Sequence, residues 1–437
     1  MLISFEVENY RAFADRAILD LARPGFSTVL PRKGQAWGEV LSPVAGVFGA
    51  NASGKSTLID AIETLSRAVR DKNYGRQLYQ PSLAVSELNS STEYAVHFVA
   101  ANVRYSYVVR AQAWGVEHEE LYSYEKRQPR KLFARSQAGP DEPLVFSKGS
   151  FLRGPSEEVR KLTTSSALYL AVALDYGHHG LAPVAKGLAL GMGVQLSGFD
   201  SRVRSSMIEQ MLFEMIADCG DNEGLVEGLL RVADVGIDGV VVKEEQIPPG
   251  VLEQMQRFLA AFGEEGVQPP SLPDVMSKVL FVHRGVGHKT FELSLEGESV
   301  GTQAWLVASW QALKTLKRGG ILLIDELDAS LHSSLVRYVV ELFLNPDYNR
   351  KHAQIIFTTH DSGLLSNAPL RLLDPTSVWF TEKDDEGRAE LFSLADYPIH
   401  PNNNTEKRYL AGAYGAIPNI DDRLLMRWLN ESGEGRG

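Results

Sequence analysis

An eight-residue phosphate-binding pattern constrains the fold of this chain more than any other feature. Residues 49–56 read Gly-Ala-Asn-Ala-Ser-Gly-Lys-Ser and match G-x-x-x-x-G-K-[ST] at every fixed position. An apolar run, Val44–Phe48, comes before the pattern, and aliphatic residues follow it at helical spacing over Thr57–Val69. A strand, a glycine-rich loop and a helix in this order predict a P-loop, whose backbone N–H groups and helix N-terminus surround a phosphate.

The residue types of the loop predict what each position binds. Lys55 is expected to reach the β and γ phosphates of ATP, and the Ser56 hydroxyl is expected to ligate Mg²⁺. Because glycines let the backbone approach the phosphates closely, other positions in and next to the loop are also expected to bind the nucleotide. These positions are Gly49, Asn51, Ser53, Gly54 and Thr57.

Two later strand ends supply the carboxylates and the histidine that a P-loop needs nearby. Ile321–Ile324 is a run of four aliphatic residues, typical of a buried parallel strand, and Asp325 and Glu326 follow it directly. We expect Asp325 to ligate Mg²⁺ and Glu326 to polarise the attacking water. Another buried strand ends in Phe357–Asp361, which predicts that His360 contacts the γ-phosphate. Either strand end, taken alone, is also compatible with polar groups that only face solvent.

A second anion site is indicated just before a later helix. Residues Glu298–Thr302 read Glu-Ser-Val-Gly-Thr and precede the helix that begins near Ala304. Ser299 and Gly301 at such a helix N-terminus place N–H groups toward an anion. By itself, the same pattern is also that of a common helix cap.

The distance between the motifs along the chain predicts a divided ATPase domain. Lys55 and Asp325 are 270 positions apart, so a large segment is inserted between the P-loop and its carboxylate. We predict a first ATPase lobe over residues 1–155, a mainly helical insertion over 156–275, and a second lobe over 276–437.

Two alternating segments predict β-structure around the P-loop. Ile3, Phe5 and Val7 are apolar and alternate with polar or acidic neighbours, which is typical of an edge strand. From about Glu93 to Arg135 apolar and polar residues alternate between turns, which predicts several consecutive strands.

Composition narrows the class of protein. The chain of 437 residues has 44% hydrophobic and 23% charged residues, which is ordinary for a globular protein. Its single cysteine, Cys219, has no partner within the chain, which fits a reducing cytosol. No apolar run reaches the roughly 20 residues of a membrane span, and the first residues lack the pattern of a signal peptide. We therefore expect a cytoplasmic protein with no membrane partner.

Charge argues against a protein whose whole surface binds nucleic acid, because the net charge is −11. A local basic patch remains compatible with this balance. The candidate patch combines basic and aromatic residues: Lys126, Arg127, Arg130, Lys131 and Arg135, next to Tyr122, Tyr124 and Phe133. A solvated hairpin tip explains the same pattern.

The order of the motifs resembles that of the ATP-binding-cassette ATPases of the chromosome-maintenance and repair branch. The opening Phe5–Phe13 is similar to the N-terminal strand and Asn-x-Arg-x-Phe turn of that branch. The chain is most similar to bacterial abortive-infection and phage-resistance ATPases related to the overcoming-lysogenization-defect nucleases. The segments that carry this resemblance are Phe48–Ser56, Glu298–Thr302, Asp325–His332, Phe357–Asp361 and Lys407–Pro418.

The resemblance implies an α/β fold, namely an ABC-type P-loop ATPase head with a large, mostly helical insertion. It also implies that Arg11 contacts the nucleotide, and that Ser299 and Gly301 act in trans on ATP held by a second protomer. Asp328 is then the residue that couples the two sites. The protein is thus expected to be a homo-oligomer, at least a dimer with ATP sandwiched between protomers.

The sequence differs from two groups of related ATPases, the transporters and the overcoming-lysogenization-defect nucleases. Glu298–Thr302 lacks the Leu-Ser-Gly-Gly-Gln signature of transporters, which argues against a transporter ATPase. The metal-sensing glutamine of the family is expected to be Gln77 or Gln80. The overcoming-lysogenization-defect nucleases carry a further domain with an Asp-x-Asp pair, whereas the 77 residues after His360 contain no such pair.

The function expected from the resemblance is that of a sensor and regulator in prokaryotic anti-phage defence. The ATPase is expected to control a nuclease or toxin effector encoded separately, and the insertion would sense a phage-derived trigger or hold a partner. The alternative is a DNA-binding ATPase of repair or chromosome maintenance, which predicts a basic face and hydrolysis that DNA stimulates.

Overall fold

The strands and helices of the computed structural model belong to two units of the chain. The structure describes residues 1–84, 90–189, 191–195, 208–215, 224–233, 236–246, 275–368, 370–398 and 404–418, with residues 250, 254, 422 and 423. The first unit comprises Met1–Gln195, Lys314–Asp328 and Val336–Gly437, and the second comprises Leu196–Leu313 and Ala329–Leu335. Within the described residues, no helix has the length and apolar character needed to cross a membrane.

The elements of the described residues are as follows. The strands are β1 (Leu2–Glu8), β2 (Ala17–Asp20), β3 (Val44–Gly49), β4 (Thr92–Ala100), β5 (Val103–Gln112), β6 (Gly115–Tyr124), β7 (Arg130–Ser136), β8 (Val145–Lys148), β9 (Gly191–Gln195), β10 (Ile237–Gln246), β11 (Val275–Arg284), β12 (Thr290–Ser294), β13 (Ile321–Asp325), β14 (Gln354–Thr358), β15 (Val378–Lys383) and β16 (Ala389–Ser393). The α-helices are Trp37–Val40, Lys55–Arg70, Ser156–Leu162, Tyr169–Asp175, Ala182–Leu188, Gly224–Val232, Val300–Arg318, Ser333–Leu344 and Thr405–Leu410, and residues 208–215 are also helical. Short 3₁₀ helices cover Gly75–Leu78, Val286–His288, Leu295–Gly297, Ser362–Leu365, Pro375–Ser377 and Leu394–Asp396.

A six-stranded, mostly parallel sheet in the first unit carries the P-loop, in the order β16-β15-β3-β14-β13-β9. The five strands from β15 to β9 are parallel, and β16 pairs antiparallel with β15. β3, β13 and β14 are buried along their whole length, as their continuous apolar sequences predict. Because these strands are parallel, the residues that follow them meet at one edge of the sheet.

A seven-stranded antiparallel sheet, β2-β1-β4-β5-β6-β7-β8, belongs to the same unit. The alternating segment from Glu93 to Arg135 forms β4 to β7, as predicted. The prediction that β1 is an edge strand is wrong, because β1 pairs with β2 on one side and with β4 on the other. Alternation such as that of Ile3, Phe5 and Val7 reports on the two faces of a strand and does not report how many neighbours it has.

The helix that follows the P-loop is fixed by burial in the core. Leu58 and Leu65 share one hydrophobic core with Phe5 of β1 and Val47 of β3. Burying a leucine side chain stabilises a fold by about 1.5–3 kcal/mol, so these contacts hold the start of the helix firmly behind the loop. The helical spacing read from the sequence is confirmed over Lys55–Arg70.

A buried polar cluster attaches a later helix to the seven-stranded sheet. The Glu119 carboxylate on β6 accepts hydrogen bonds from the N–H groups of Tyr169 (2.7 Å) and Leu170 (2.9 Å), where that helix begins. Arg135 on β7 donates to the carbonyl oxygen of Ala167 (2.7 Å). Since both charged side chains are buried, removing either one leaves the other without a compensating charge.

The second unit has its own sheet and core. Its antiparallel sheet, β10-β11-β12, contributes Phe281 to a hydrophobic cluster with Leu212 and Trp310. The sequence predicted that residues 156–195 belong to the insertion and residues 276–313 to the second lobe. In the structure, residues 156–195 lie in the first unit and residues 276–313 lie in the second. The buried cluster of Glu119 and Arg135 is one physical reason that the helices after residue 155 stay with the first unit.

Candidate functional site

A cleft of about 800 Å³ lies in the first unit, where the P-loop meets the strand ends of the six-stranded sheet. Ligand sites typically occupy about 300–1,000 Å³, so a whole nucleotide has room here. Most of the predicted site residues line the cleft: Arg11, Asn51, Gly54, Lys55, Ser56, Thr57, Glu326 and His360. Residues without a predicted role also line it, among them Ala12, Ala52, Lys383 and Gly387.

The P-loop backbone packs so closely against β15 and β16 that two of its positions need glycine. A Cβ atom at Gly49 would lie 2.5 Å from the carbonyl oxygen of Thr381, and one at Gly54 would lie 2.9 Å from the Cβ atom of Ala389. Gly54 also has a φ of 113°, which other residues rarely adopt. The Ser53 hydroxyl is hydrogen-bonded to the Thr381 hydroxyl (2.6 Å). Gly49 and Ser53 therefore support the loop from the sheet side and do not themselves line the cleft.

The first turn of the P-loop helix gives the cleft its positive charge. No side chain of the described residues caps this helix, so its first N–H groups are available to an anion. The Lys55 ammonium donates to the carbonyl oxygens of Gly49 (2.9 Å) and Ala50 (2.8 Å). Burial lowers the pKa of Lys55, and the acidic residues at and after the end of β13 oppose that shift.

A hydroxyl and a carboxylate from distant parts of the chain meet beside the loop. Ser56 Oγ donates to Asp325 Oδ1 (3.0 Å), and Thr358 Oγ1 donates to the same oxygen (2.6 Å). No group of three or more His, Cys, Asp or Glu side chains capable of holding a metal occurs among the described residues. One hydroxyl and one carboxylate nevertheless fit Mg²⁺, because this ion is usually bound by few protein oxygens together with phosphate and water.

Thr358, at the end of β14, holds Glu326 in a strained backbone conformation. Glu326 has a φ of 54°, and its N–H donates to Thr358 Oγ1 (2.7 Å). A non-glycine residue in this region stores about 1–3 kcal/mol of strain, which is found mainly at functional sites. The sequence assigned no role to Thr358, because a threonine in a buried strand has the signature of any β-branched residue there.

His360 lines the cleft from the end of β14, and Asp328 fixes its backbone. Both carboxylate oxygens of Asp328 accept the His360 N–H at 3.2 Å. The preceding Thr359 N–H donates to the carbonyl oxygen of Val47 (3.1 Å), which ties this turn to the P-loop strand. The structure therefore shows Asp328 in contact with the backbone of His360. Its role in coupling two ATP sites stays a prediction.

The turn after β1 forms another wall of the cleft. Arg11 has a φ of 49°, and its N–H donates to the carbonyl oxygen of Gln80 (2.8 Å). Its guanidinium pairs with Asp60 (3.0 Å) and donates to Gln80 Oε1 (2.6 Å). Of the two candidate glutamines, Gln80 lines the cleft and Gln77 does not.

The second unit places Ser299 and Gly301 at a helix N-terminus. Ser299 Oγ accepts a hydrogen bond from the N–H of Thr302 (3.0 Å), so this serine caps the helix Val300–Arg318. A Cβ atom at Gly301 would lie 2.9 Å from the carbonyl oxygen of Ser330. Ser299 is exposed, so this N-terminus is accessible to a partner, and its action in trans stays a prediction.

The predicted basic patch around the hairpin of β6 and β7 is smaller than the sequence indicates. Arg135 is 1% exposed and Phe133 is fully buried, so neither faces solvent. Arg130 pairs with Glu125 (2.6 Å) and lies over the ring of Phe151 (4.5 Å). Fewer free cations are therefore left for a nucleic-acid phosphate than the sequence pattern implied.

Comparison with protein families agrees with the geometry of the cleft. The family profile described as "AAA domain, putative AbiEii toxin, Type IV TA system" matches residues 44–176 and 234–366, more than half of the chain. The chain belongs to this family. Membership in the AAA family confirms the predicted resemblance to bacterial defence ATPases. Together with the P-loop after β3 and the carboxylates at the end of β13, it confirms the predicted α/β fold of a P-loop ATPase domain.

Solved structures give distant matches over nearly the whole chain. The SMC head domain from Thermotoga maritima has 14% identity and a TM-score of 0.38, covering 91% of this chain and 99% of its own. An SMC head bound to the C-winged helix domain of ScpA has 13% identity and a TM-score of 0.37, and the match covers 90% of this chain and 97% of the SMC head. An SMC head with an extended coiled coil, bound to a ScpA domain derived from Pyrococcus furiosus, has 12% identity and a TM-score of 0.35, with 94% and 98% covered. A search of curated proteins finds no match.

Proposed function

We propose that this AAA-family chain binds ATP with Mg²⁺ and hydrolyses the ATP. The observation that supports this most strongly is the contact of Ser56 Oγ with Asp325 Oδ1, at 3.0 Å, beside the cleft that Lys55 and Glu326 line. These four groups come from two motifs 270 positions apart, and together they are the parts that P-loop ATPases use.

Each residue has a role that follows from its chemistry. Lys55 and the first N–H groups of its helix hold the β and γ phosphates, while Ser56 and Asp325 hold the metal. When bound, Mg²⁺ neutralises negative charge on the phosphates. Glu326 accepts a proton from the attacking water, and His360 donates a hydrogen bond to the γ-phosphate.

We infer that two protomers close around two ATP molecules. Ser299 and Gly301 of one protomer add the N–H groups of an exposed helix N-terminus to the phosphates held by the other. A ligand at 100 times its Kd favours the bound form by about 2.7 kcal/mol, so two sites supply roughly 5.4 kcal/mol. That is close to the 5.5 kcal/mol or so that moves a two-state equilibrium from 1:99 to 99:1, and hydrolysis then reverses the change. Asp328 couples the two sites through the His360 turn that it holds.

We infer further that ATP-driven closure controls a separately encoded nuclease or toxin in anti-phage defence. The family description, which names the AbiEii toxin and a type IV toxin–antitoxin system, supports this context. The second unit has a core of its own and carries Ser299, so a trigger or partner bound there is able to act on closure directly.

Nucleotide binding and closure are tested with two variants. Lys55→Ala is expected to abolish ATP binding in titration calorimetry, because the ammonium and its helix N-terminus are the main phosphate ligands. Glu326→Gln is expected to bind ATP and to accumulate as an ATP-dependent dimer in sedimentation velocity. Wild-type ATP affinity in Lys55→Ala refutes the P-loop assignment, and a Glu326→Gln chain that stays monomeric with ATP refutes the closed dimer.

The defence role is tested in cells. Bacteria that carry this chain with its neighbouring genes are challenged with phages, and plating efficiency is compared between wild type and Lys55→Ala. Protection that disappears in the variant supports the proposal, whereas equal plating of phages on wild-type and empty-vector cells rejects it. The DNA-binding alternative instead predicts that duplex DNA raises the hydrolysis rate and that this stimulation falls steeply with salt.

A further inference from the structure

The cleft contains a cationic side chain that the proposed mechanism does not use. Lys383 is the last residue of β15 and lines the cleft together with Gly387. β15 runs parallel to β3 and pairs Thr381 with Gly49, so Lys383 lies two residues beyond the level at which the P-loop begins. Lys383 therefore stands at the carboxyl edge of the sheet, where parallel sheets bind their ligands.

The hairpin that carries Lys383 is held in one conformation. The Asp384 carboxylate accepts hydrogen bonds from the backbone N–H (2.8 Å) and from Nε (3.0 Å) of Arg388. The N–H of Ala389 donates to the carbonyl oxygen of Ala12 (2.8 Å), which ties the hairpin to the turn after β1. The base of the Lys383 side chain is thus fixed relative to the P-loop.

The late segment Lys407–Pro418, which the resemblance singled out, supports the same strand. The rings of Tyr409 and Tyr414 stack on Phe380 of β15 at 5.4 Å and 5.6 Å. Tyr409 also packs edge-on against Phe48 of β3 (6.4 Å). The segment therefore holds together the two strands that end at Lys383 and at the P-loop.

Lys383 differs from the other Lys and Arg side chains of the cleft in its partners. Arg11 pairs with Asp60 (3.0 Å), and Lys55 donates to carbonyl oxygens of the loop. Among the residues that the structure describes, the Lys383 ammonium has no hydrogen-bond or ion-pair partner. The Cε atom of Lys383 lies 3.7 Å from the position that a Cβ atom of Gly387 would occupy. The side chain of Lys383 therefore packs next to a residue that has no side chain of its own. A cation in this position is available to an anionic ligand.

The order of the strands indicates how a nucleotide would be oriented in the cleft. β13, which carries Asp325 and is followed by Glu326, is separated from β15 by β14 and β3, so the two strand ends are about 14 Å apart at roughly 4.8 Å per strand. The metal and the attacked phosphate belong at the β13 end, and the P-loop of β3 lies between. The remaining part of the nucleotide therefore extends toward β15 and Lys383.

We propose that Lys383 binds the α-phosphate of the nucleotide. This rests on the proposed ATP binding and adds the orientation of the ligand within the cleft, with its nucleoside end toward the β15–β16 hairpin. An ammonium group acts on a phosphate as a point charge, and a charge-assisted hydrogen bond of this kind contributes about ten- to a hundredfold in affinity.

The test is the affinity of Lys383→Met for ATP and for ADP, compared with wild type in titration calorimetry. Both nucleotides carry the α-phosphate, so both should bind about ten- to a hundredfold more weakly, by the same factor, with the thermal unfolding temperature unchanged. Lys383→Arg keeps the charge and should stay within about threefold of wild type. Lys33→Met, at an exposed lysine that does not line the cleft, should bind both nucleotides as wild type does.

The possible failures are distinguishable. Wild-type affinity of Lys383→Met for both nucleotides overturns this inference and leaves the proposed ATP binding intact. If Lys383→Met binds ATP more weakly but binds ADP as wild type does, Lys383 contacts the γ-phosphate, and the proposed orientation of the nucleotide is wrong. A wild-type chain that binds neither nucleotide refutes the proposed function, and this inference with it.

Discussion

Replacing Thr358 by valine separates the positioning of Glu326 from the binding of nucleotide. Valine has nearly the shape of threonine and lacks the hydroxyl that donates to Asp325 and accepts the Glu326 N–H. Thr358 is completely buried, so water does not replace the lost groups. Asp325 Oδ1 keeps its hydrogen bond from Ser56, whereas the Glu326 N–H loses its partner.

The magnitude follows from these contacts. Two hydrogen bonds at about 1 kcal/mol each, and a partly buried donor left unsatisfied at about 1–3 kcal/mol, predict a free energy of unfolding lower by about 3–5 kcal/mol. Because Glu326 sits at a φ of 54° only while it is held there, its carboxylate loses its position and ATP hydrolysis falls about ten- to a hundredfold. ATP affinity changes by less than about threefold, since Lys55 and the loop are untouched.

Three measurements on the same protein samples check this reasoning. Urea unfolding gives the stability, phosphate release gives the turnover, and titration calorimetry gives the ATP affinity. Thr358→Ser keeps the hydroxyl and is the matched control, expected to stay near wild type in turnover. Wild-type turnover in Thr358→Val, or equal damage in Thr358→Ser, would refute the view that the hydroxyl positions Glu326.

Three further predictions concern other parts of the chain. Ser299→Arg should leave ATP binding to monomers unchanged, abolish the ATP-dependent dimer in sedimentation velocity, and lower hydrolysis at least about tenfold; a normal dimer contradicts the trans role. Gly49→Ala should weaken ATP binding and lower stability by about 1–3 kcal/mol, because its Cβ atom would lie 2.5 Å from the Thr381 carbonyl oxygen, whereas Gly228→Ala, with open space around it, should do neither. Burial lowers the pKa of His97 from 6.5 to about 4, so the unfolded chain takes up a proton between those values and stability falls as the pH drops through that window. His97→Gln should reduce the loss of unfolding free energy at pH 5 by about 2 kcal/mol. The measurement is the free energy of unfolding in urea at pH 5 and at pH 7.5. If the difference between the two pH values is the same in wild type and His97→Gln, His97 is not a buried neutral histidine.

The local part of the site could be predicted from sequence because its chemistry is encoded in short, contiguous segments. Gly49–Ser56 specifies a loop between a strand and a helix, and Ile321–Glu326 specifies a buried strand that ends in acids. Parallel pairing then brings such ends together, and Ser56 and Asp325 do meet in the structure. No long-range information was needed beyond the rule that parallel strands end at one edge.

Other features depended on contacts between distant residues. Alternation in β1 was compatible with either one or two neighbouring strands, and only the pairing with the short β2 decides between them. Arg135 looked like part of a basic surface because its neighbours in sequence are basic, but it faces the interior beside Glu119. Thr358 lies within the Phe357–Asp361 segment without a predicted role, and Lys383 lies in no motif. The placement of both follows from the strand order and from the hairpin after β15.

Phosphate release by wild type and by Glu326→Gln at saturating ATP and Mg²⁺ tests the proposed hydrolysis of ATP. Wild type is predicted to release phosphate continuously, and Glu326→Gln to bind ATP with wild-type affinity while releasing phosphate at least about a hundredfold more slowly. Equal rates in the two proteins, or no release by a wild-type chain that binds ATP, would contradict the account.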